Sequence, residues 1–227
     1  MFKLMLVIIV LLPVALALPL MFTTSNGETL IGAVIEVEKL DGTRYTYHLG
    51  PEGVITVPEV PLGILKVKVV SWKDVPIGYQ CVATPQNYTV KVPGIHRLVV
   101  NVKGSRGQSL HGAAVTIFHQ GRSVEVGVSD ESGVYKTLLP AASYTIAAEY
   151  GGSRREAQVD LMSPQEVTIQ LDIFGEIGGL PLSSTEFMGI ILLAIVIPLA
   201  IFVIAYEYAQ WRRRKLLRVV AAPPAEK

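Results

Sequence analysis

The chain has 227 residues, with 20 lysines and arginines against 19 aspartates and glutamates, so its net charge is +1. This balance argues against a nucleic-acid-binding surface, and the 20 glycines and 14 prolines argue against a helical bundle. Cys81 is the only cysteine, which excludes an intrachain disulfide. We therefore expect domains held by their cores or by partners.

Residues 1–22 are predicted to be a signal peptide or an N-terminal membrane anchor. Lys3 precedes an apolar run over residues 4–17, which ends in the small-x-small triplet Ala15-Leu16-Ala17 that signal peptidase requires. Apolar residues continue to Phe22, which leaves an uncleaved anchor as the alternative. In both cases Lys3 stays inside, and the middle of the chain is exported.

The exported part contains an internal similarity. Residues 27–33, GETLIGA, align with residues 107–113, GQSLHGA, and the same offset of 80 residues relates Gly53 to Gly133. The offset then slips by one residue at Pro61 and Pro140. A matched offset over several turns predicts two copies of one module. We place them at residues 23–96 and 97–173.

Each copy is predicted to be all-β, because short alternating segments are separated by turn residues such as Asp41-Gly42 and Asp130-Glu131-Ser132-Gly133. The predicted strands of the first copy are residues 31–38, 44–49, 54–57, 64–71, 88–92 and 97–102. Those of the second copy are residues 114–120, 123–128, 134–138, 143–149, 156–161 and 166–172. The predicted fold is two tandem small antiparallel β-sandwiches.

Alternation also assigns the two faces of individual strands. In one strand of the first copy, Leu65, Val67 and Val69 are predicted to face the core, and Lys66 and Lys68 to face water. In one strand of the second copy, Val124, Val126 and Val128 are predicted to face the core, and Ser123, Glu125 and Gly127 to lie on the opposite face.

Three motifs of the second copy carry a family resemblance. They are Gly107-x-x-Leu110-x-Gly112-Ala113-x-Val115, Asp130-x-x-Gly133-x-Tyr135 and Leu139-Pro140-x-x-x-Tyr144-x-Ile146. This pattern resembles the carboxypeptidase regulatory-domain-like, or prealbumin-like, β-sandwich family. The first copy matches only partly, with Leu65 in place of Tyr144, and the second has Ala142-Ser143 where the family usually has glycine before the tyrosine. The resemblance implies a stalk, adhesion or docking module without catalysis of its own.

A linker over residues 174–183, predicted to be flexible, precedes a transmembrane helix over residues 184–210. Residues 187–206 contain no charged side chain, and about 20 such residues cross a hydrocarbon core of roughly 30 Å. Ser183 and Glu186 have the spacing of a helix capping box. A buried helix of a soluble protein is the alternative.

A basic cytoplasmic tail over residues 211–227 begins with the cluster Arg212, Arg213, Arg214 and Lys215. Clustered arginine and lysine mark the cytoplasmic end of a span, so the sandwiches are predicted to lie outside the cell membrane. Binding of anionic lipid or of a cytoplasmic partner is the alternative role of the cluster. Asn87 begins an Asn-x-Thr triplet and is a candidate for N-glycosylation.

No catalytic motif is present: the sequence has no Gly-x-Ser-x-Gly elbow, no His-Glu-x-x-His pair and no Cys-x-x-Cys pair. His48, His96, His111 and His119 fit no local metal motif. Asp130 and Glu131 are calcium-ligand candidates, but a solvated turn is the simpler interpretation. We therefore expect no catalytic site, no metal site and no cofactor.

These observations predict a non-enzymatic, membrane-anchored surface protein whose tandem sandwiches bind or scaffold a protein or a surface polymer. The alternative is an accessory subunit of a multi-subunit membrane complex, such as a transporter, a respiratory assembly or a protein-export assembly. An enzyme that uses residues of both modules is a third hypothesis. The membrane is an expected partner, and nucleic acid is not.

Overall fold

The computed structural model describes residues 16–60, 63–84 and 88–220, with side chains described for residues 17–60, 63–84 and 88–213. The first sandwich consists of strands β1 (Leu16–Thr24), β2 (Val34–Glu38), β3 (Arg44–His48), β4 (Val54–Val60), β5 (Leu65–Trp72), β6 (Val75–Ala83) and β7 (Thr89–Val92). The second consists of β8 (Ile95–Lys103), β9 (Ala114–His119), β10 (Arg122–Val128), β11 (Val134–Pro140), β12 (Ser143–Tyr150), β13 (Ser153–Asp160) and β14 (Gln165–Gln170). Strands β15 (Gly175–Ile177) and β16 (Leu180–Leu182) follow, and then helix α1 (Ser184–Val220).

Both sandwiches have the same strand order. A three-stranded sheet β4-β1-β7 packs with a four-stranded sheet β3-β2-β5-β6, and β11-β8-β14 packs with β10-β9-β12-β13. The prediction of two tandem sandwiches followed by a C-terminal helix is confirmed. The pairs β1–β7 and β8–β14 are parallel, which sequence alternation alone does not reveal, whereas the other pairs are antiparallel.

Strand β1 was not predicted, and it changes the domain boundary. Leu18, Leu20 and Phe22 are at most 3 % exposed and belong to the first core, so the boundary expected at residue 23 lies inside this strand. The apolar run hides the alternation, because its outward positions are also apolar. Strand β6 was likewise missed. Residues 97–102, assigned to the first copy as a strand, belong to β8 of the second sandwich.

Each sandwich has its own hydrophobic core. Leu65, Val67 and Val69 face the first core, as predicted, with at most 1 % exposure. Tyr144 lies in the second core at 2 % exposure, and its hydroxyl donates a hydrogen bond to the carbonyl of Pro140 at 2.7 Å. This bond explains the spacing of proline and tyrosine in the motif, and Leu65 of the first sandwich has no hydroxyl with which to form it.

The face assignment of strand β10 is wrong for two of its three valines. Val126 and Val128 are 67 % and 64 % exposed, whereas Val124 packs against the second core. The register of β10 against β9 shifts between Ser123 and Glu125. One extra residue in a strand moves every following side chain to the other face. The bulge therefore turns Glu125 inward.

The predicted flexible linker folds instead as the hairpin of β15 and β16. Gly178 and Gly179 form its turn with φ of 61° and 82°, a conformation that suits a two-residue hairpin loop. The amide of Ser183 donates to Glu186 Oε2 at 2.8 Å, and the amide of Glu186 donates to Ser183 Oγ at 3.2 Å. This reciprocal capping starts helix α1, which continues ten residues beyond the predicted end at residue 210.

Helix α1 contains a candidate membrane span over Ser184–Arg213. Its most apolar window has a mean hydropathy of 3.1, and none of that window is buried by the rest of the described chain. A soluble core helix would be mostly covered. The packing therefore differs from that expected of the alternative, a buried helix.

Candidate functional site

The residues singled out from the sequence do not come together in one place. Arg212 and Arg213 are exposed on helix α1, which also includes Arg214 and Lys215. The glycosylation candidate Asn87 lies outside the described residues.

The hydrogen bonds of Asp130 agree with the interpretation of residues 130–133 as a turn. Asp130 Oδ1 accepts the amide hydrogens of Ser132 and Val134, both at 2.9 Å, so this carboxylate closes its own turn. Across residues 16–60, 63–84 and 88–220, no group of three or more histidine, cysteine, aspartate or glutamate side chains is placed to hold a metal ion.

The turn between β5 and β6 is the most distinctive backbone feature. Lys73 and Asp74 occupy its two central positions with φ of 50° and 59°. Asn-Gly is the usual choice for such a turn, because left-handed backbone costs other residues about 1–2 kcal/mol each. Strain of this kind often accompanies a functional position. Here the strained turn touches the second sandwich.

Lys73 reaches from the first sandwich into the side of the second. Its Nζ donates to Glu125 Oε2 at 2.6 Å, to Thr137 Oγ1 at 3.1 Å and to the carbonyl of Leu138 at 3.0 Å. The side chains of Lys73 and Glu125 are 25 % and 20 % exposed. All three ammonium hydrogens therefore have partners in a site that is largely screened from water.

The acceptor side of this contact is equally well satisfied. Glu125 Oε2 also accepts the hydroxyl hydrogen of Thr137 at 2.7 Å, and Glu125 Oε1 accepts that of Tyr135 at 2.9 Å. Burial, together with the hydrogen bond to Glu125, raises the pKa of Tyr135 well above its usual range. We call Lys73, Glu125, Tyr135 and Thr137 the interdomain clasp.

Gly127 makes room for the clasp. A Cβ built on Gly127 would lie 2.1 Å from the ring of Tyr135, and its backbone φ does not require glycine. The ring lies directly against the backbone of β10, which holds the Tyr135 hydroxyl next to Glu125. The bulge turns Glu125 inward, and Gly127 leaves space for the Tyr135 ring, so both features contribute to the clasp.

Apolar contacts reinforce the clasp. Val75, next to the strained turn, is fully buried in the second core. Ile95 and Leu138, from the second sandwich, are buried in the first core. Trp72 anchors the turn from its own side, because its Nε1 donates to the carbonyl of Ile31 at 2.9 Å. The two cores therefore exchange side chains across the contact.

Two open grooves with charged side chains lie on the surface of the described residues. One, of about 410 Å³, lies beside the clasp and is lined by exposed charged side chains, Glu28, Arg97 and Lys136 among them. The other, of about 430 Å³, lies on the outer face of sheet β3-β2-β5-β6. Its ion pairs join Arg44 to Glu38 at 3.1 Å and Lys66 to Glu38 at 3.4 Å.

Sequence reasoning did not find the clasp. It placed Glu125 on the solvent face and did not assign Lys73 to any element. The available signals were a Lys-Asp turn without glycine between two alternating strands, and a single glutamate in a run of valines. Neither signal identifies the residue contacted, because Lys73 and Glu125 are 52 positions apart and lie in different sandwiches.

Comparisons with known proteins give structural similarity only. No family model matches the chain, and no curated protein sequence is similar to it. The similar solved structures include the TIE protein of Bacillus anthracis, with 22 % identity, a TM-score of 0.32 and coverage of 69 % of this chain and 33 % of that one. The chain thus spans about a third of that protein.

Two further similar structures are pilins. The shaft pilin SpaA of Lactobacillus rhamnosus GG has 11 % identity and a TM-score of 0.36, with coverage of 71 % of this chain and 100 % of the pilin. GBS52, a minor pilin of Streptococcus agalactiae, has 12 % identity and a TM-score of 0.30, with coverage of 68 % and 94 %. Similarity at this level carries no conclusion about function.

Proposed function

We propose that the protein is a non-enzymatic, membrane-anchored surface protein whose two sandwiches form one stiff ectodomain that binds or scaffolds a protein or surface-polymer partner. The observation that carries this proposal is the interdomain clasp. Two sandwiches joined only by a short connection would move independently. A partly buried ion pair and exchanged core side chains instead favour one relative orientation, which suits a spacer or docking arm.

Anchoring is assigned to helix α1, with the sandwiches outside and the basic cluster in the cytoplasm. Strand β1 supports removal of the N-terminal segment as a signal peptide. Because Leu18, Leu20 and Phe22 belong to the first core, these three residues cannot also lie in a membrane anchor.

The partner surface is assigned to the first sandwich, which precedes the second in the chain and so lies further from helix α1. Its groove on sheet β3-β2-β5-β6 presents Glu36, Arg44 and Lys66 to solvent, and this mixture of charges suits a polar partner. The carboxypeptidase regulatory-domain-like resemblance points the same way, because such modules are stalks and docking units.

The test is purification of the tagged full-length chain from native membranes in mild detergent, followed by mass spectrometry of the proteins that elute in fixed proportion. We expect the chain alone or with a surface partner that is lost when Arg44 and Lys66 are both changed to glutamate. A fixed stoichiometry with polytopic subunits would instead make it an accessory subunit. Hydrolase or redox activity of the pure protein would contradict the proposal.

A further inference from the structure

The β15–β16 hairpin lies between the second sandwich and helix α1. The amide of Phe174 donates to the carbonyl of Leu182 at 2.8 Å at the open end of the hairpin, two residues before the helix. The ring of Phe174 lies 4.5 Å from that of Phe187, the first residue of the uncharged run. The open end of the hairpin is therefore fixed at the level where the candidate span begins.

One face of the hairpin packs on the sandwich. Register pairs Glu176 with Pro181, and these two side chains lie on the same face. The hydroxyl of Tyr150 donates to Glu176, and a Cβ built on Gly151 would lie 2.2 Å from Pro181. The hairpin is thus seated on the β12–β13 turn, at the end of the sandwich where β14 leaves it.

The opposite face is apolar and uncovered. Ile177 pairs with Leu180, and alternation places both on the face that points away from Tyr150 and Gly151. They are 52 % and 70 % exposed. These two large aliphatic side chains lie opposite each other at the tip of the hairpin and form a small apolar patch on its surface.

We propose that this face rests in the interfacial region of the outer leaflet, with Ile177 and Leu180 in contact with lipid. The proposal rests on the anchoring by helix α1 under Proposed function. Continuity with the span selects the lipid as the occupant, because only Ser183 separates the hairpin from the helix and the Phe174–Phe187 contact joins the two. Arg106, 5.2 Å from the ring of Phe174, supplies a cation at headgroup level.

A hairpin in this position would act as a foot. A single helix joined to a flexible linker lets an ectodomain tilt freely, whereas a helix and a lipid-bound hairpin give two points of attachment to one surface. The second sandwich would then stand in a defined orientation on the membrane, and the clasp would pass that orientation on to the first sandwich.

The test uses the full-length chain with Cys81→Ser, reconstituted in vesicles of phosphatidylethanolamine and phosphatidylglycerol. A spin label is placed by Leu180→Cys, and a matched control label by Val126→Cys, because these side chains are 70 % and 67 % exposed. Collisions with oxygen, which concentrates in lipid, and with a polar nickel chelate measure depth. We expect the label at residue 180 to favour oxygen and the label at residue 126 to favour nickel.

Equal access of nickel to both labels would overturn the foot. Extraction with alkaline carbonate, run on the same vesicles, tests the anchor separately. If the chain resists extraction but the label at residue 180 is accessible to nickel, helix α1 anchors the protein and the hairpin does not contact lipid. A chain that is extracted loses both. Adding Ile177→Ser should move the label at residue 180 toward nickel access, and no change would also count against the foot.

Discussion

Removing the ammonium group of Lys73 should destabilise the protein far more than removing an exposed one. Lys73→Met retains most of the apolar stem but deletes the donor to Glu125, Thr137 and Leu138. Breaking a fully buried pair costs about 3–5 kcal/mol, and an exposed pair contributes about 0–1 kcal/mol. With side chains 25 % and 20 % exposed, we expect a loss of about 2–3 kcal/mol.

The assay is urea unfolding of the full chain in mild detergent, with Trp211→Phe in the background so that fluorescence reports Trp72 alone. Lys66→Met is the matched control, because Lys66 pairs with Glu38 at 3.4 Å and its side chain is 69 % exposed. It should cost less than about 0.5 kcal/mol.

A double-mutant cycle completes the test. Lys73→Met and Glu125→Gln should show a coupling energy of about 1–2 kcal/mol, because the two side chains are in direct contact. If Lys73→Met costs no more than Lys66→Met, or if the cycle shows no coupling, the clasp does not hold the sandwiches together and the argument for a stiff ectodomain fails.

Three further predictions concern the second sandwich. Gly127→Ala should cost about 1–3 kcal/mol in urea unfolding, because its Cβ meets the Tyr135 ring, whereas Gly50→Ala, with open space around it, should cost less; equal costs would contradict the packing. Tyr144→Phe should cost about 1–2 kcal/mol through loss of its hydrogen bond to Pro140, and an unchanged midpoint would rule that bond out as a contributor. Burial is the largest cause of the raised pKa of Tyr135 and of Tyr144 in the folded protein. The unfolded chain therefore loses the two hydroxyl protons at lower pH than the folded chain does, and the free energy of unfolding should fall above about pH 10. A variant with both Tyr135→Phe and Tyr144→Phe should lose less stability above that pH than the parent. The same dependence of unfolding free energy on pH in both proteins would contradict this prediction.

Sequence patterns predicted the fold because the information they use is local. Alternation in Leu65, Val67 and Val69 identifies a strand and its buried face without any knowledge of its partners. The cap at Ser183 and Glu186 is complete within four residues. The same reasoning missed β1, because an apolar run that serves export and a strand whose outward residues are also apolar look alike in composition.

The interdomain clasp could not be predicted from the sequence for a different reason. The inward position of Glu125 depends on a bulge, and a one-residue shift reverses every face that alternation assigns after it. The sequence predicts a flexible linker where β15 and β16 form a hairpin, because Gly178 and Gly179 suit both a turn and a loose segment. Which of the two they form is decided by contacts of Glu176 and Pro181 with a distant turn.

The proposed topology places the sandwiches outside the membrane and the basic cluster inside. The most direct measurement labels single cysteines with a membrane-impermeant maleimide on intact cells, in a Cys81→Ser background. Asp41→Cys, in an exposed turn of the first sandwich, should react on intact cells, and Ala222→Cys should react only after permeabilisation. Labelling of both positions from the same side would contradict the account.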